Sequence, residues 1–359
     1  MNVGIAGSGQ LGYMMILESR KLGISFNVIG QDLDGPASRI ADRSYIYEDY
    51  KEFVDRSDVV TYEFEHVDGR VLDYAESEGK LKPGIFPVKL KRDRSLEKDF
   101  LHSKDLPVAE YKIAMSAVEA LEIAENFGDC VIKSVSGGYD GKGQYFVKGG
   151  NVPSSIPDGK YVVERFIKFQ YEASVIASRS LDGAIRMHKP SFNFNRKGIL
   201  FYNAAPVSDN GMNDAVRRLL VELDYVGVLG VEFFIADGKT IINEFAPRVH
   251  NTGHHTLMGS SISQFEQHIR AICGYEIPDP VLYRPSGILN LIGVNPDRKT
   301  VEDILRLPET QFYWYGKNGI RRGRKAGHIN VTAETIEEVH SKIKKLTEIV
   351  YGNDPDKFL

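Results

Sequence analysis

A short apolar run opens the chain and ends on glycines: Asn2 to Ala6, then Gly7, Gly9 and Gly12 in GSGQLG, with Leu11, Met14, Met15 and Leu22 at helical spacing. A strand that enters a helix through so tight a turn leads to a parallel sheet, whose crossover helices cover both faces. The same alternation continues. Phe26 to Gly30 reads as a second strand and Asp58 to Tyr62 as a third, with helical material from Val67 to Glu78. The expected class is therefore α/β at the N-terminus, a Rossmann-like parallel sheet over residues 1–104.

Around Lys104 to Tyr111 the pattern breaks, and Pro107 ends the preceding helix. Beyond Cys130 the chain turns strand-rich in CVIKSV, QYFV, YVVERF, YEASVIA, GVEFFIA and TIINEFA, with helices near Asn213 to Leu223 and Ser261 to Ile272. This predicts an α+β region over 105–274. A tail over 275–359, with strands at Gly287 to Ile292 and His328 to Val331 and a helix near Glu334 to Val350, predicts a small β-rich C-terminal part.

The 359 residues carry a net charge of −4, which argues against a non-specific nucleic-acid coat. Cys130 and Cys273 lie far apart beside apolar residues and are expected to be buried free thiols. Without a leader-like N-terminus or a long apolar run, the expectation is a soluble cytoplasmic protein.

Several motifs carry chemistry. GSGQLG, with Asp32 twenty residues beyond Gly12, fits the dinucleotide fingerprint, in which amides at a helix N-terminus meet a phosphate. Taken alone it suggests a nicotinamide-dependent oxidoreductase, although the same turn also serves simple helix–strand packing. SGGYDGKGQ, Ser136 to Gln144, lies between two strands and lacks the G-K-[ST] ending of a P-loop. With Lys133 upstream and Lys142 inside, it suits a hairpin flap that covers a polyphosphate.

Glu232 in GVEFF and Glu244 in INEFAPR lie in strands apolar enough to be buried, where a carboxylate needs a cation or hydrogen bonds. With Asn243 they offer the hard oxygen ligands that Mg²⁺ prefers. A two-residue Asp237-Gly238 turn would set Glu232 opposite Asn243 and leave Glu244 on the other face. A shared metal therefore requires an odd-length connection, such as a three-residue Asp237 to Lys239 loop, or a bulge. PRVHNTGHHT gathers Arg248, His250, Asn251, His254 and His255, expected to face an anionic substrate, and RRGRKAGH at Arg321 to His328 is expected to grip a phosphate.

The strings GSGQLG, TYEFEHV, KRDRSLEKDF, KSVSGGYDGKGQ, ERFIKFQYEASV, GVEFF, NEFAPRVHNTGHHT, SQFEQHIRAI and YGKNGIRRGRKAGHI occur in one order along the chain. In these it resembles the N5-carboxyaminoimidazole ribonucleotide synthetases, ATP-grasp ligases of purine biosynthesis, over essentially its whole length. The resemblance implies an ATP-grasp fold for the central part and a homodimer. It also implies MgATP-dependent carboxylation of 5-aminoimidazole ribonucleotide with bicarbonate, through carboxyphosphate.

By the same resemblance ATP is held by Arg94, Lys133, Gly138, Tyr139, Asp140, Gly141, Lys142, Gly143 and Gln144. Adenine meets Glu164, Arg165, Phe166 and Ile167, chiefly through their backbone, and Glu172 takes the ribose. Asn195, Asn243 and Glu244 complete the nucleotide site, and Glu232 and Glu244 bind Mg²⁺. The substrate nucleotide meets Gly9, Gln10, Leu11, Glu63, Glu65, His250, Asn251, Arg324 and Lys325, and the catalytic residues are Tyr139, Asp140, Arg248 and Lys325. The sequence departs from the family twice: Asn195 stands where a histidine is usual, and Glu164-Arg165 where an acidic pair is usual. A relative that activates formate or another carboxylate, and a catalytically dead scaffold, are the competing readings.

Overall fold

The structure is a computed structural model that describes residues 1–137 and 143–359. Its N-terminal sheet contains β1 (Asn2–Ala6), β2 (Ser25–Gly30), β3 (Arg43–Ile46) and β4 (Val59–Tyr62), all parallel, in the order β3-β2-β1-β4. The sequence pattern finds three of these. β3 is a four-residue edge strand, RSYI, too short to show alternation. Val3, Ile5, Phe26, Val28, Met14, Met15 and Ile16 form the core beneath the sheet, together with Phe265 and Ile269 from a distant helix.

That helix, Gln264–Ile272, packs against helix Gln10–Ser19 on one side and the central sheet on the other, with seven of its first eight residues buried. Ser263 caps it by accepting from the Glu266 amide at 3.3 Å. His268 spans the seam: one ring nitrogen lies 2.8 Å from Thr61 Oγ1 and the other accepts from the Val228 amide at 2.9 Å. The helix therefore fixes the N-terminal sheet to the rest of the molecule.

A second, antiparallel sheet contains β5 (Tyr111–Ala114), β6 (Cys130–Ser134), β7 (Gln144–Val147) and β8 (Tyr161–Arg165), in the order β5-β8-β6-β7. The pairing of Lys133 with Gln144 makes the glycine-rich segment a β6–β7 hairpin, as expected. The third sheet contains β9 (Tyr171–Arg179), β10 (Ile185–Met187), β11 (Ser191–Arg196), β12 (Ile199–Ala205), β13 (Gly227–Ala236), β14 (Lys239–Ala246), β15 (Ser286–Ile292), β16 (Thr310–Trp314) and β17 (Lys325–Thr332). Its order is β14-β13-β9-β11-β12-β15-β17-β16, and β10 pairs with β9. The C-terminal strands are thus not a sheet apart, because β15 pairs with β12 from Tyr202↔Leu289 to Ala205↔Ser286. The final helix, Ile336–Tyr351, opens with a Thr335/Glu338 capping box and packs on this seam.

Cys130 is buried, as expected, but Cys273 is only partly covered. No helix among the described residues is long and apolar enough to cross a membrane. Gly287 marks where the seam is tightest. A methyl group there would come within 2.6 Å of the Asn203 carbonyl oxygen and 2.9 Å of Val339 and Ile343. Gly287→Ala is expected to cost about 1–3 kcal/mol through overpacking, measured as a lower urea midpoint with an unchanged slope.

Candidate active site

The three sheets enclose a cleft of about 1420 Å³. Its floor is the β13–β14 hairpin. Asp237 (φ 50°) and Gly238 (φ 73°) form the two-residue turn, since Ala236 pairs with Lys239. The three-residue loop anticipated from the sequence is not formed. Instead the register shifts after Phe233↔Ile242: Asn243 bulges out, and Glu232 pairs with Glu244. The bulge puts both carboxylates on the cleft side of the hairpin.

Two further register breaks fall at the cleft end of the same sheet. Between Phe194 and Asn195 the β11–β12 pairing skips Phe201, and between Leu291 and Ile292 the β15–β17 pairing skips Ala326, so that Lys325 pairs with Ile292. Each break lies beside a site residue.

The facing carboxylates shape the electrostatics. Burial, then Glu244 and Glu172, push the Glu232 carboxyl up to about 8. Glu244 is held well below the usual carboxylate range despite its burial, because Lys91 Nζ lies 2.8 Å from it. Lys91 also reaches Glu97 at 3.4 Å. Two buried carboxylates facing each other offer the hard oxygens that Mg²⁺ prefers, and a bound ion would displace the proton that Glu232 holds. No cluster of three or more His, Cys, Asp or Glu suited to a metal occurs among the described residues. The pair would therefore rely on phosphate oxygens to complete a coordination shell.

Lys133 and Glu164 are both buried and lie 2.9 Å apart, with Lys98 3.4 Å from the same carboxylate oxygen. Against its burial, these two cations hold Glu164 at about 2. Lys133 is pushed below its ordinary value, since burial and the neighbouring Lys98 and Arg94 outweigh its single carboxylate. Lys98 also donates to the Asn243 carbonyl at 3.2 Å, and Arg94 to the Ser134 carbonyl at 2.7 Å. Lys91, Glu97 and Lys98 were missed in the sequence, although all lie in the KRDRSLEKDF string. They occupy one helix end and the first turns of the next, capped by Asp93, and only their shared face identifies them.

Arg165, Phe166 and Ile167 line the cleft beside Glu164, and Phe169 stacks on Phe234 with ring centres 4.7 Å apart. Asn195 donates to Glu172, whose carboxyl is raised by burial, an effect the Asn195 hydrogen bond partly offsets. Gln144 and Asn243 line the cleft. Gly143 is not among the lining residues; its carbonyl accepts from the Ser134 amide at 2.9 Å. Gly138, Tyr139, Asp140, Gly141 and Lys142 lie outside the described residues.

On the opposite wall the glycine fingerprint has an unexpected occupant. Glu63, at the end of β4, accepts from the Gly9 amide and, at 2.8 Å, from the Gly12 amide. A side chain on Gly9 would strike this carboxylate. The donors that a dinucleotide pyrophosphate would need are already satisfied from within, and Asp32 is exposed, accepting from the Asp34 amide at 3.0 Å. The fingerprint here braces the β1 turn against β4.

Glu65, against its burial, is held at about 2 by Arg248, which lies 2.6 Å away. Gln10 accepts from Lys317 and donates to Asn251 at 3.5 Å, while Leu11 lines the same wall. Arg324 and Lys325 also line the cleft, and Arg324 donates to the carbonyls of Asn318 and Gly319.

His250 points its Nε2 at Glu232, 3.6 Å away. Burial, then the charge of Arg248, lower its pKa to about 3, so the ring is neutral. His254 and His255 do not face the substrate side, contrary to the sequence reading. Both are buried: His254 packs edge-on against Phe265 and His328, and His255 Nδ1 lies 3.4 Å from Ser286 Oγ.

Family models match three consecutive segments of the chain. A ribonucleotide synthetase preATP-grasp domain matches residues 1–88, an ATP-grasp domain 99–265, and a phosphoribosylaminoimidazole carboxylase C-terminal domain 286–342. An N5-carboxyaminoimidazole ribonucleotide synthase from Saccharolobus solfataricus is 47% identical over 99% of this chain and 97% of its own length. The Aquifex aeolicus enzyme of that name is 40% identical, over 98% of each chain. Among solved structures, the Aquifex aeolicus phosphoribosylaminoimidazole carboxylase ATPase subunit superposes with a TM-score of 0.86 at 38% identity, covering 98% of this chain and all of that one. An Aspergillus clavatus N5-carboxyaminoimidazole synthase in complex with ADP and 5-aminoimidazole ribonucleotide gives 0.85 at 28% identity, over 97% and 98% of the two chains. By fold and by likeness along nearly its entire length, the chain belongs to the N5-carboxyaminoimidazole ribonucleotide synthase family of ATP-grasp enzymes.

Proposed function

We propose that this chain uses ATP and bicarbonate to carboxylate 5-aminoimidazole ribonucleotide on its exocyclic amine, releasing ADP and phosphate in purine biosynthesis. The observation that carries the reading is one cleft lined by Arg165 to Ile167 and Phe169, by the facing Glu232–Glu244 pair and by the basic residues Arg248, Arg324 and Lys325. The Aspergillus clavatus relative, solved in complex with ADP and 5-aminoimidazole ribonucleotide, supports the choice of these two nucleotides.

Glu164 to Ile167 seat the adenine and Glu172 the ribose, while Arg94, Lys133 and Lys98 meet the phosphates. A magnesium ion held by Glu232 and Glu244 would supply charge neutralisation at the transferring phosphoryl group. Bicarbonate oxygen attacks the γ-phosphorus, ADP leaves, and carboxyphosphate forms; the lysines and Arg94 offset the charge that spreads over the phosphoryl oxygens. The amine nitrogen then attacks the carboxyl carbon, or the CO₂ released from it. The C–O bond to phosphate breaks, and the amine proton leaves with the phosphate. Arg248, pinned by Glu65, and Lys325 hold the anionic partners on that side. Tyr139 and Asp140 keep their catalytic assignment from the sequence. The same reading includes a cytoplasmic homodimer with parts at 1–104, 105–274 and 275–359.

The decisive test is ADP release from MgATP and 5-aminoimidazole ribonucleotide with bicarbonate present or rigorously removed. Release is expected to need the nucleotide and to rise with bicarbonate; release indifferent to bicarbonate would sink the carboxylation reading. Lys133→Ala is expected to lower that turnover by about 10²–10³-fold. Lys325→Ala should instead raise the KM for the aminoimidazole nucleotide about tenfold, a loss of about 1.4 kcal/mol, and steady-state kinetics separate the two effects.

The raised carboxyl of Glu232 makes a pH prediction for the metal-free protein. Its stabilising contribution is complete below the ordinary value of 4.5 and is lost as pH rises towards about 8. Urea midpoints from pH 5 to 9 should therefore fall more steeply in the wild type than in Glu232→Gln.

A further inference from the structure

We infer that Gln264 is a positioning residue for the acceptor side of the reaction, acting through the backbone of His250. The inference rests on the proposed function, with His250 and Asn251, which line the cleft, taken as contacts of the aminoimidazole nucleotide as the family resemblance implies. Gln264 begins the helix that joins the N-terminal and central sheets, and it is completely buried. Its carboxamide serves both backbone groups of His250: Oε1 accepts from the His250 amide at 2.8 Å, and Nε2 donates to the His250 carbonyl at 2.6 Å. A planar group held at both ends fixes the peptide planes on either side of His250, and with them the direction of its side chain.

The surroundings are built for this clamp. Gly253 leaves the space the carboxamide fills; a methyl group there would lie 2.5 Å from Gln264 Cδ. Beneath His250, Gly230 lets the residue lie directly on β13, since a methyl group there would come within 2.6 Å of His250 Cβ. Gln264 is itself held by its amide, which donates to Thr256 Oγ1 at 3.0 Å. From below, Asn203 donates to the Thr252 carbonyl, and Asn330 to the His254 carbonyl at 2.7 Å. The loop that presents His250 and Asn251 is thus tied down by buried amides that never reach the cleft. His250 Nε2 then faces Glu232, and Asn251 faces Gln10. An error of about 1 Å in such a loop is enough to cost about 10²-fold in rate.

The test uses the full-length enzyme with two independent variants, Gln264→Ala, which removes the clamp, and Gly253→Ala, which displaces it. Each is expected to lower kcat/KM for 5-aminoimidazole ribonucleotide by about 10–100-fold, while the KM for ATP stays within about twofold and thermal unfolding remains a single transition. Gln264→Asn, one methylene shorter, should recover less than Gln264→Glu at low pH, where the protonated carboxyl can again donate to the His250 carbonyl. An unchanged nucleotide kcat/KM in a folded Gly253→Ala would overturn the inference, and so would an equal rise in both Michaelis constants. A wild-type enzyme whose ADP release ignores the aminoimidazole nucleotide would instead overturn the underlying function, so the two failures are distinguishable.

Discussion

Two carboxylates facing each other at the bottom of a cleft repel, and the neighbouring charges are arranged around that repulsion. Glu232 meets it by holding its proton, while Glu244 is kept ionised by Lys91. Lys98 and Lys133 share Glu164, and Arg248 takes Glu65, so each of these buried acids is matched to a cation. Such pairs add little net stability, because desolvation offsets most of the Coulomb gain. What they do fix is where charge can enter. A phosphate group has cations waiting on one side and the carboxylate pair on the other.

Much of the architecture was legible from periodicity. The strand–helix alternation to Tyr62, the strand-rich middle and the last helix all match the sequence reading within a few residues. What the sequence concealed has physical reasons. β3 is too short to alternate, and in β11, SFNFNR, the pattern is inverted, since Asn193 is buried while Phe194 is exposed. The continuity of the C-terminal strands with the central sheet depends on a long-range pairing that local patterns do not encode.

The site was legible by residue type but not by wiring. Glu232 and Glu244 stood out as acids in apolar strands, and parity arithmetic required either an odd loop or a bulge; the Asp-Gly turn chemistry decided for the bulge. His254 and His255 read as site residues because three histidines share one loop, yet the 3₁₀ turn at Asn251–Gly253 sends them into the core. GSGQLG read as a phosphate cradle because glycine spacing specifies donors and is silent about the acceptor. Here the acceptor, Glu63, arrives from a strand more than fifty residues away.

The register breaks at Asn243 and Ala326 bring Glu244 and Lys325 to the cleft, and the break at Phe201 sets Leu200 opposite Asn195, each by adding one residue to one strand. Site geometry is therefore written partly in chain length and not only in side-chain identity. A point substitution at any of these places changes one group and leaves its neighbours facing as before. Loss or gain of a single codon would turn over every side chain between the break and the strand end. Along these strands, evolution can exchange residues freely only while it keeps count.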